Sequence, residues 1–320
     1  MDDALSATLS RPALRVTDGI PRFVADIDAD QRQTEQSFAY KWGRVSSYES
    51  DGMRDVARRW LLRRYGFDSA ETMRAFFAER GTVLDAGCGS GFSSSLWLAP
   101  GWSRGTAIWV GADISEAVDV ARERLNGIER AFLLQADVLD LPFRRETFGA
   151  ILCEGVMHHT PSTEAAFHAL VPLLRRGGEF LFYVYRRKAP VREFTDDHIR
   201  ASVSELRPDE AWEALRPMAE LGRALTELNV EVDVPDVPLL GIEAGRYDVQ
   251  RLIYWHFAKL YWNHELTLEE NLHVNFDWYH PRYAHRHTEE EVRRWCREAD
   301  LDITRFDTEP SGFTVRAIRR

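Results

Sequence analysis

At 320 residues, 44% hydrophobic and 29% charged, the chain is long enough to bury a sizeable core, in one large domain or two modest ones. Its formal net charge of −10 argues against a nucleic-acid substrate, since such binding leans on cationic contacts to phosphate. Cys88, Cys153 and Cys296 are widely spaced and form no Cys-x-x-Cys pair, which argues against a disulfide framework or a zinc ribbon. With no apolar run long enough for a bilayer and an acidic start unlike a secretory signal, a cytoplasmic protein is expected.

The first two dozen residues, through Thr17-Asp18-Gly19-Ile20-Pro21, read as a polar loop. A helical pattern begins at Gln31, with aromatic punctuation in QSFAYKWGR. A second helix, over 53–65, carries Val56, Trp60 and Leu61 on one face and arginines on the other. A third, over 69–80, presents Met73, Phe76 and Phe77. Residues 1–80 therefore read as an N-terminal arm and helical cap.

At Thr82 the periodicity changes. Thr82-Val83-Leu84-Asp85 reads as a buried strand leading into the glycine loop VLDAGCGSG, with a helix-like stretch after it. Further strands are expected over 107–111, 131–135, 148–153 and, after Gly177-Gly178, 179–185. Ser115 is a plausible N-cap for a helix over 116–125. The strands are apolar throughout and alternate with helices, which predicts an α/β core over 81–185 with a parallel sheet covered on both faces.

From Arg186 that rhythm stops. Trp212, Leu215, Met218, Leu221, Leu225 and Leu228 form a helical stripe that Pro217 should kink or divide. A proline-rich loop, VDVPDVPLLG, precedes an aromatic helix, YDVQRLIYWHFAKLYWNHEL, and then a loop, NFDWYHPRYAHRHT. Residues 186–287 thus read as a helical, aromatic-rich insertion, a lid over a substrate. Thr288 and Glu291 form a capping box, and strands over 301–306 and 313–318 form a hairpin, so 288–320 should complete the core sheet.

The glycine loop departs from the dinucleotide fingerprint G-x-G-x-x-G. Gly87 and Gly89 match, Phe92 stands where the third glycine belongs, and Gly91 comes one residue early. No G-x-x-x-x-G-K-[ST] is present. The glycines still permit close approach of backbone to a ligand. Asp113 ends the second strand, 22 residues after Gly91, where a carboxylate can accept from both ribose hydroxyls. Asp137, in QADVLDLPF, ends the third and can meet an adenine amino group. The fourth ends in Cys153-Glu154-Gly155 and runs into VMHHT. Any one of these acids alone could be a helix cap or a loop charge; the ordered series at neighbouring strand ends points to a ligand site.

The stretches VLDAGCGSG, GADIS, QADVLDLPF, FGAILCEGVMHHT and LLRRGGEFLF together resemble the class I S-adenosylmethionine-dependent methyltransferases, especially the small-molecule branch similar to the ubiquinone and menaquinone biosynthesis enzymes. The resemblance covers roughly residues 80–185. It implies a Rossmann-like, mostly parallel seven-stranded sheet with helices on both faces and an antiparallel final strand. It also implies S-adenosyl-L-methionine as cofactor. Asp85, Gly87, Gly89 and Gly91 would border its methionine part, Asp113 and Ile114 its ribose and adenine edge, and Asp137 with Val138 its adenine. The segment FAYKW, with Tyr40 and Trp42, resembles a lid over the cofactor; aromatic packing of the cap on the core is the alternative. The stretch TDGIPRFV resembles the tail of a small zinc domain fused to relatives, but the cysteines of that domain are missing. No metal is expected.

Methyl transfer needs positioning and sometimes a base. Glu154 is the first base candidate; the alternative is a loop acid contacting backbone amides or the cofactor's amino group. The run Cys153-Glu154-Gly155-Val156 lacks the Asn/Asp-Pro-Pro-Tyr/Phe of amino-group methylases acting on nucleic acids or glutamine. His159 is a substrate-side candidate, as are Tyr254, Trp255 and Tyr279 of the insertion; His256 and His280 are catalytic candidates. His280, His285 and His287 with Asp277 have poor spacing for a metal. The expected activity is methylation of a small molecule, without nucleic acid or membrane as partner and with a homodimer left open. The alternatives are an S-adenosylmethionine-binding enzyme of another type (a cyclase or decarboxylase) or a non-catalytic cofactor-binding partner protein.

Overall fold

The computed structural model describes residues 3–25 and 27–320. An N-terminal segment holds α1 (Asp3–Thr8), β1 (Arg15–Thr17), β2 (Ile20–Arg22), α2 (Ala29–Gly43), α3 (Asp51–Tyr65) and α4 (Ala70–Arg80). Strands and helices then alternate through β3 (Thr82–Ala86), α5 (Phe92–Ser95), β4 (Ile108–Asp113), α6 (Ala117–Arg124), β5 (Ala131–Gln135), β6 (Phe148–Glu154), α7 (Thr163–Leu170) and β7 (Leu174–Tyr185). Next come α8 (Pro190–Val203), α9 (Pro208–Glu227), a separate hairpin of β8 (Glu231–Val234) and β9 (Gly245–Asp248), α10 (Val249–His256) and α11 (Leu268–Tyr279). The chain closes with α12 (Glu289–Glu298), β10 (Leu301–Thr308) and β11 (Gly312–Arg319).

The main sheet has the order β1-β2-β5-β4-β3-β6-β7-β11-β10. Strands β5, β4, β3, β6 and β7 are parallel, β11 runs antiparallel to β7, and β10 antiparallel to β11. Successive side chains of a strand point to opposite faces. Leu84 accordingly joins a core with Phe167, Val292 and Trp295, whereas Val83 joins one with Tyr65, Met73, Phe77 and Trp97. Helices cover both faces, which is why these strands read as apolar throughout. The strand order reverses between β3 and β6, so their carboxyl ends flank the crevice where open α/β sheets bind ligands.

Four expectations are corrected. The sheet has nine strands rather than seven, because the arm read as a loop contains the hairpin β1–β2, whose β2 joins the edge strand β5. Its turn, Asp18-Gly19, has positive φ at both residues (52° and 81°), the geometry that favours a two-residue hairpin. Pro217 does not divide α9, which runs unbroken through it. The residue is exposed, so the carbonyl it leaves unpaired one turn earlier faces water.

The expected aromatic helix ends at His256, and residues 257–266 cross the insertion without helical structure. Two asparagines of α11 hold that segment. Asn275 accepts from Tyr261 N–H (3.1 Å) and donates to its carbonyl (3.1 Å), and Asn271 does the same for Asn263 (2.7 and 3.1 Å). Each primary amide thus satisfies both backbone groups of one residue, as a neighbouring strand would. The helix bearing them, α11, starts at a Thr267–Glu270 capping box in a stretch given no element from sequence and runs on through NFDWY, the start of the expected loop NFDWYHPRYAHRHT.

Candidate functional site

A cavity of about 860 Å³ opens at the carboxyl ends of the parallel strands and is covered by α2, α3 and the insertion. Its strand-side wall is built from Gly87 after β3, Asp113 and Ile114 at β4, Asp137 and Val138 after β5, Glu154 to Val156 at β6, and Tyr183 and Tyr185 of β7.

The glycine loop is pinned to β4. Gly87 and Cys88 N–H groups both donate to the Ala112 carbonyl (2.7 and 3.0 Å), and Gly89 N–H donates to Asp113 Oδ2 (2.8 Å). Asp113 Oδ1 accepts from Ser115 N–H and hydroxyl (2.9 and 2.6 Å). At Gly87, φ is 81°, and a Cβ there would lie 2.3 Å from Val156 Cγ2. The chain can pass only as glycine.

This end of the cavity is acidic. Burial, opposed by its hydrogen bonds to Ser115 and Gly89, pushes the Asp113 carboxyl above its usual range. On α2, Glu35 is pushed up to about 7 by burial, then by repulsion from Glu116 and Asp113. Behind the loop, burial raises Asp85 to about 7 although the Ser94 hydroxyl donates to it. Asp137 accepts from Gln31 Nε2 (2.5 Å) and Leu139 N–H (2.9 Å).

Of the residues singled out in the sequence, Trp42, Gly87, Asp113, Ile114, Asp137, Val138, Glu154, His159, Tyr254 and Trp255 line the cavity. Asp85, Gly89 and Gly91 stand behind its wall. Tyr40 lies on another face of α2, its ring 5.7 Å from Phe276 and 6.1 Å from Trp212. Three insertion candidates are likewise off the lining. His256 is near Tyr247 at the β8–β9 hairpin, with ring centroids 6.0 Å apart. His280 is buried, stacked on Phe276, with Nε2 3.2 Å from the Leu206 carbonyl. Tyr279 is buried behind the wall, its hydroxyl donating to Asp196 (3.0 Å) and accepting from Lys259 N–H (3.0 Å).

Glu154 also differs from its expected role as a base. Its two oxygens are taken by the Arg64 guanidinium and the Tyr65 hydroxyl. Arg64, one of the arginines of α3, is buried, 3.6 Å from the Tyr183 ring centroid and 3.9 Å from that of Trp60. His159 is placed differently. Its Nδ1 lies 2.6 Å from the Tyr283 carbonyl, which can only accept, so Nδ1 carries the proton. Nε2 is buried without a partner among the described residues. Burial lowers the imidazole to about 4, keeping it neutral near pH 7.

The face of α2 that closes the cavity is Gln31, Thr34, Glu35, Phe38, Lys41 and Trp42; the FAYKW segment covered its end, and sequence reasoning missed Gln31, Thr34 and Glu35. The spacing of the six, three, one, three, three and one, is a helical face, a signal that was present in the sequence. Sequence reasoning also missed the latch. Lys41 of α2 forms an ion pair with Asp277 of α11, whose other oxygen accepts from the Tyr185 hydroxyl (3.0 Å).

Residues 84–182 match the family described as a methyltransferase domain. Over 130 residues the chain is 31% identical to the tRNA (carboxymethyluridine(34)-5-O)-methyltransferase alkbh8 of Xenopus tropicalis, covering 39% of this chain and 19% of that protein. It is 32% identical to the demethylmenaquinone methyltransferase of Clavibacter sepedonicus over 31% of this chain and 39% of that one. The chain therefore spans well under half the length of these curated relatives. Among solved structures, magnesium protoporphyrin IX methyltransferase from Synechocystis, with S-adenosylmethionine bound, is similar at 15% identity and a TM-score of 0.45, covering 93% of this chain and 100% of that one.

Proposed function

The chain carries a methyltransferase domain of the class I, S-adenosylmethionine-dependent family, and from that premise we propose that it methylates a small molecule enclosed in the cavity. The observation that carries this reading is the continuous, partly open cavity running from the glycine loop to an aromatic far end under the insertion. A concave, largely apolar site suits a small ligand.

The residues at the strand ends fit the cofactor. Gly87 leaves its backbone open where a Cβ would collide with Val156. Asp113 uses three of about four lone-pair sites on Gly89 and Ser115, which leaves one for a ribose hydroxyl. Ile114, Val138 and Trp42 supply apolar surface, and Asp137 an acceptor for an amino group. Asp113 and Asp137, with Glu35 partly ionised near pH 7, place negative potential at this end, suited to a ligand bearing a sulfonium and an ammonium. When bound, S-adenosylmethionine supplies an electrophilic methyl group on sulfur.

The rest is positioning. The Lys41–Asp277 latch holds α2 against the insertion beside the site. His159 Nε2, neutral and without a partner, accepts the hydrogen bond of the acceptor's hydroxyl or amino group and so turns its lone pair toward the methyl. Glu154, held by Arg64 and Tyr65, shapes the wall.

Incubation with methyl-labelled cofactor and a small-molecule extract should place label in a compound of low mass. His159→Phe is expected to lower kcat by about 10²-fold, the usual worth of a positioned proton acceptor, with S-adenosylhomocysteine affinity unchanged. Label appearing in RNA or protein instead, or in nothing, would sink the reading. An unchanged rate in the variant would remove the role of His159.

A further inference from the structure

The far end of the cavity is charged oppositely to the cofactor end. Arg192 of α8 lines it and is 0% exposed. Its Nε donates to both oxygens of Asp196 (2.8 Å each) and its Nη1 to the Tyr254 carbonyl, but Nη2 is buried with no partner among the described residues. Lys259, 5% exposed, also lines the cavity and donates to the Val274 carbonyl (2.9 Å). No carboxylate lies within ion-pair distance of its ammonium among the described residues. Lys188, partly buried, donates to the carbonyls of Arg186, Pro310 and Ser311.

These three cations surround one indole. The Trp278 ring centroid is 4.8 Å from Lys259 Nζ, 5.4 Å from Lys188 Nζ and 5.4 Å from the Arg192 guanidinium carbon. Of the nearby acids, Asp196 is paired with Arg192 itself and accepts from the Tyr279 hydroxyl, and Asp277 is taken by Lys41 and Tyr185, so among the described residues the two lysines are left without an acid partner. Burial, more than any neighbour, lowers Lys259 to about 7, although Asp277 works against it. An anion arriving there would favour its charged form.

Clustered buried cations with an unused guanidinium N–H are costly unless an acceptor completes them. We propose that this cluster is a carboxylate receptor, so that the methyl acceptor is an organic acid whose anionic group sits between Arg192 and Lys259 beside Trp278. Its apolar body lies against Tyr254, Trp255 and Tyr183, which line the same space. Arg192 offers Nη2 and Lys259 its remaining two protons; Lys188, whose amine is pushed well below its usual range by burial and whose protons go to three carbonyls, lines the end without bonding the anion. Tyr279, off the lining, acts as a positioning residue that holds both Asp196 and the Lys259 backbone. The inference rests on the methyltransferase reading for the word acceptor, though not for the receptor itself.

Calorimetric titration tests it with 1-naphthoate and decanoate against their neutral counterparts, 1-naphthamide and decanol, on protein with and without S-adenosylhomocysteine. At least one acid is expected to bind about tenfold or more tightly than its neutral counterpart, the scale of one charge-assisted bond. Lys259→Met should erase that preference while leaving S-adenosylhomocysteine affinity intact. Equal binding of acid and neutral probe, no binding of either acid, or a preference retained in Lys259→Met would overturn the receptor. The wild-type comparison decides even where the variant does not fold. Failure of S-adenosylhomocysteine to bind would instead overturn the methyltransferase reading, and the probes on the protein alone would still decide the receptor.

Discussion

Gly87→Ala is expected to weaken S-adenosylmethionine binding by at least about a hundredfold, or roughly 3 kcal/mol. Two effects add. A φ of 81° is a conformation that alanine adopts only at a cost of about 1–2 kcal/mol. The new Cβ would lie 2.3, 2.4 and 2.8 Å from Cγ2, Cγ1 and Cβ of Val156. Valine is stiff at χ1 and cannot turn aside cheaply, and such overpacking costs about 1–3 kcal/mol. The loop can relieve the clash only by withdrawing from the cavity, which disturbs the Gly87 and Cys88 bonds to Ala112. Gly43→Ala is the control. Gly43 ends α2 with nothing within 4 Å of an added Cβ, so affinity should not change. Equal affinities for both variants, measured by calorimetry, would show that the loop does not border the ligand.

The second large effect concerns the latch. Lys41 is buried, and removing the charge of Asp277 leaves its ammonium without an acid partner. Breaking a fully buried pair in this way typically costs about 3–5 kcal/mol; with the Asp277 side chain 24% exposed, Asp277→Asn should lose the low end of that or somewhat less in urea unfolding at pH 7. Burial alone would raise the Asp277 carboxyl, but Lys41, then His159 and Lys259, outweigh it and hold it below the usual carboxylate range. A depressed folded-state value stabilises above the unfolded value, about 3.9, and that contribution fades as pH falls toward the folded one. The gap between wild type and Asp277→Asn should therefore be full at neutral pH and shrink below about pH 4. A gap that grows on acidification would mean the pair is not what joins α2 to the insertion.

The glycine loop and the acids at the strand ends were legible because each lies within a few residues of its strand, where period and motif carry the information. The same holds for the capping box at Thr288 and for the strand pair after it. What escaped depended on partners distant in the chain. Glu154 looked like a free base until Arg64 and Tyr65, about ninety residues earlier, were seen to occupy its oxygens. The break after His256 is set by Asn271 and Asn275, which stand in for a strand, and no local pattern announces that. His256 followed from the same unbroken-helix expectation and His280 from the loop expected after it; neither lines the cavity. Asp18-Gly19 was different in kind. The turn signal was present, but β1 and β2 are three residues each and too short for alternation to show.

The central claim is that the acid-lined end of the cavity holds S-adenosylmethionine, and one calorimetric comparison tests it most directly. The wild-type protein should bind the cofactor at one site, and Asp113→Ala should bind it at least about tenfold more weakly, having lost a charged acceptor for the ribose. No binding by the wild type, or the same affinity in Asp113→Ala, would contradict it.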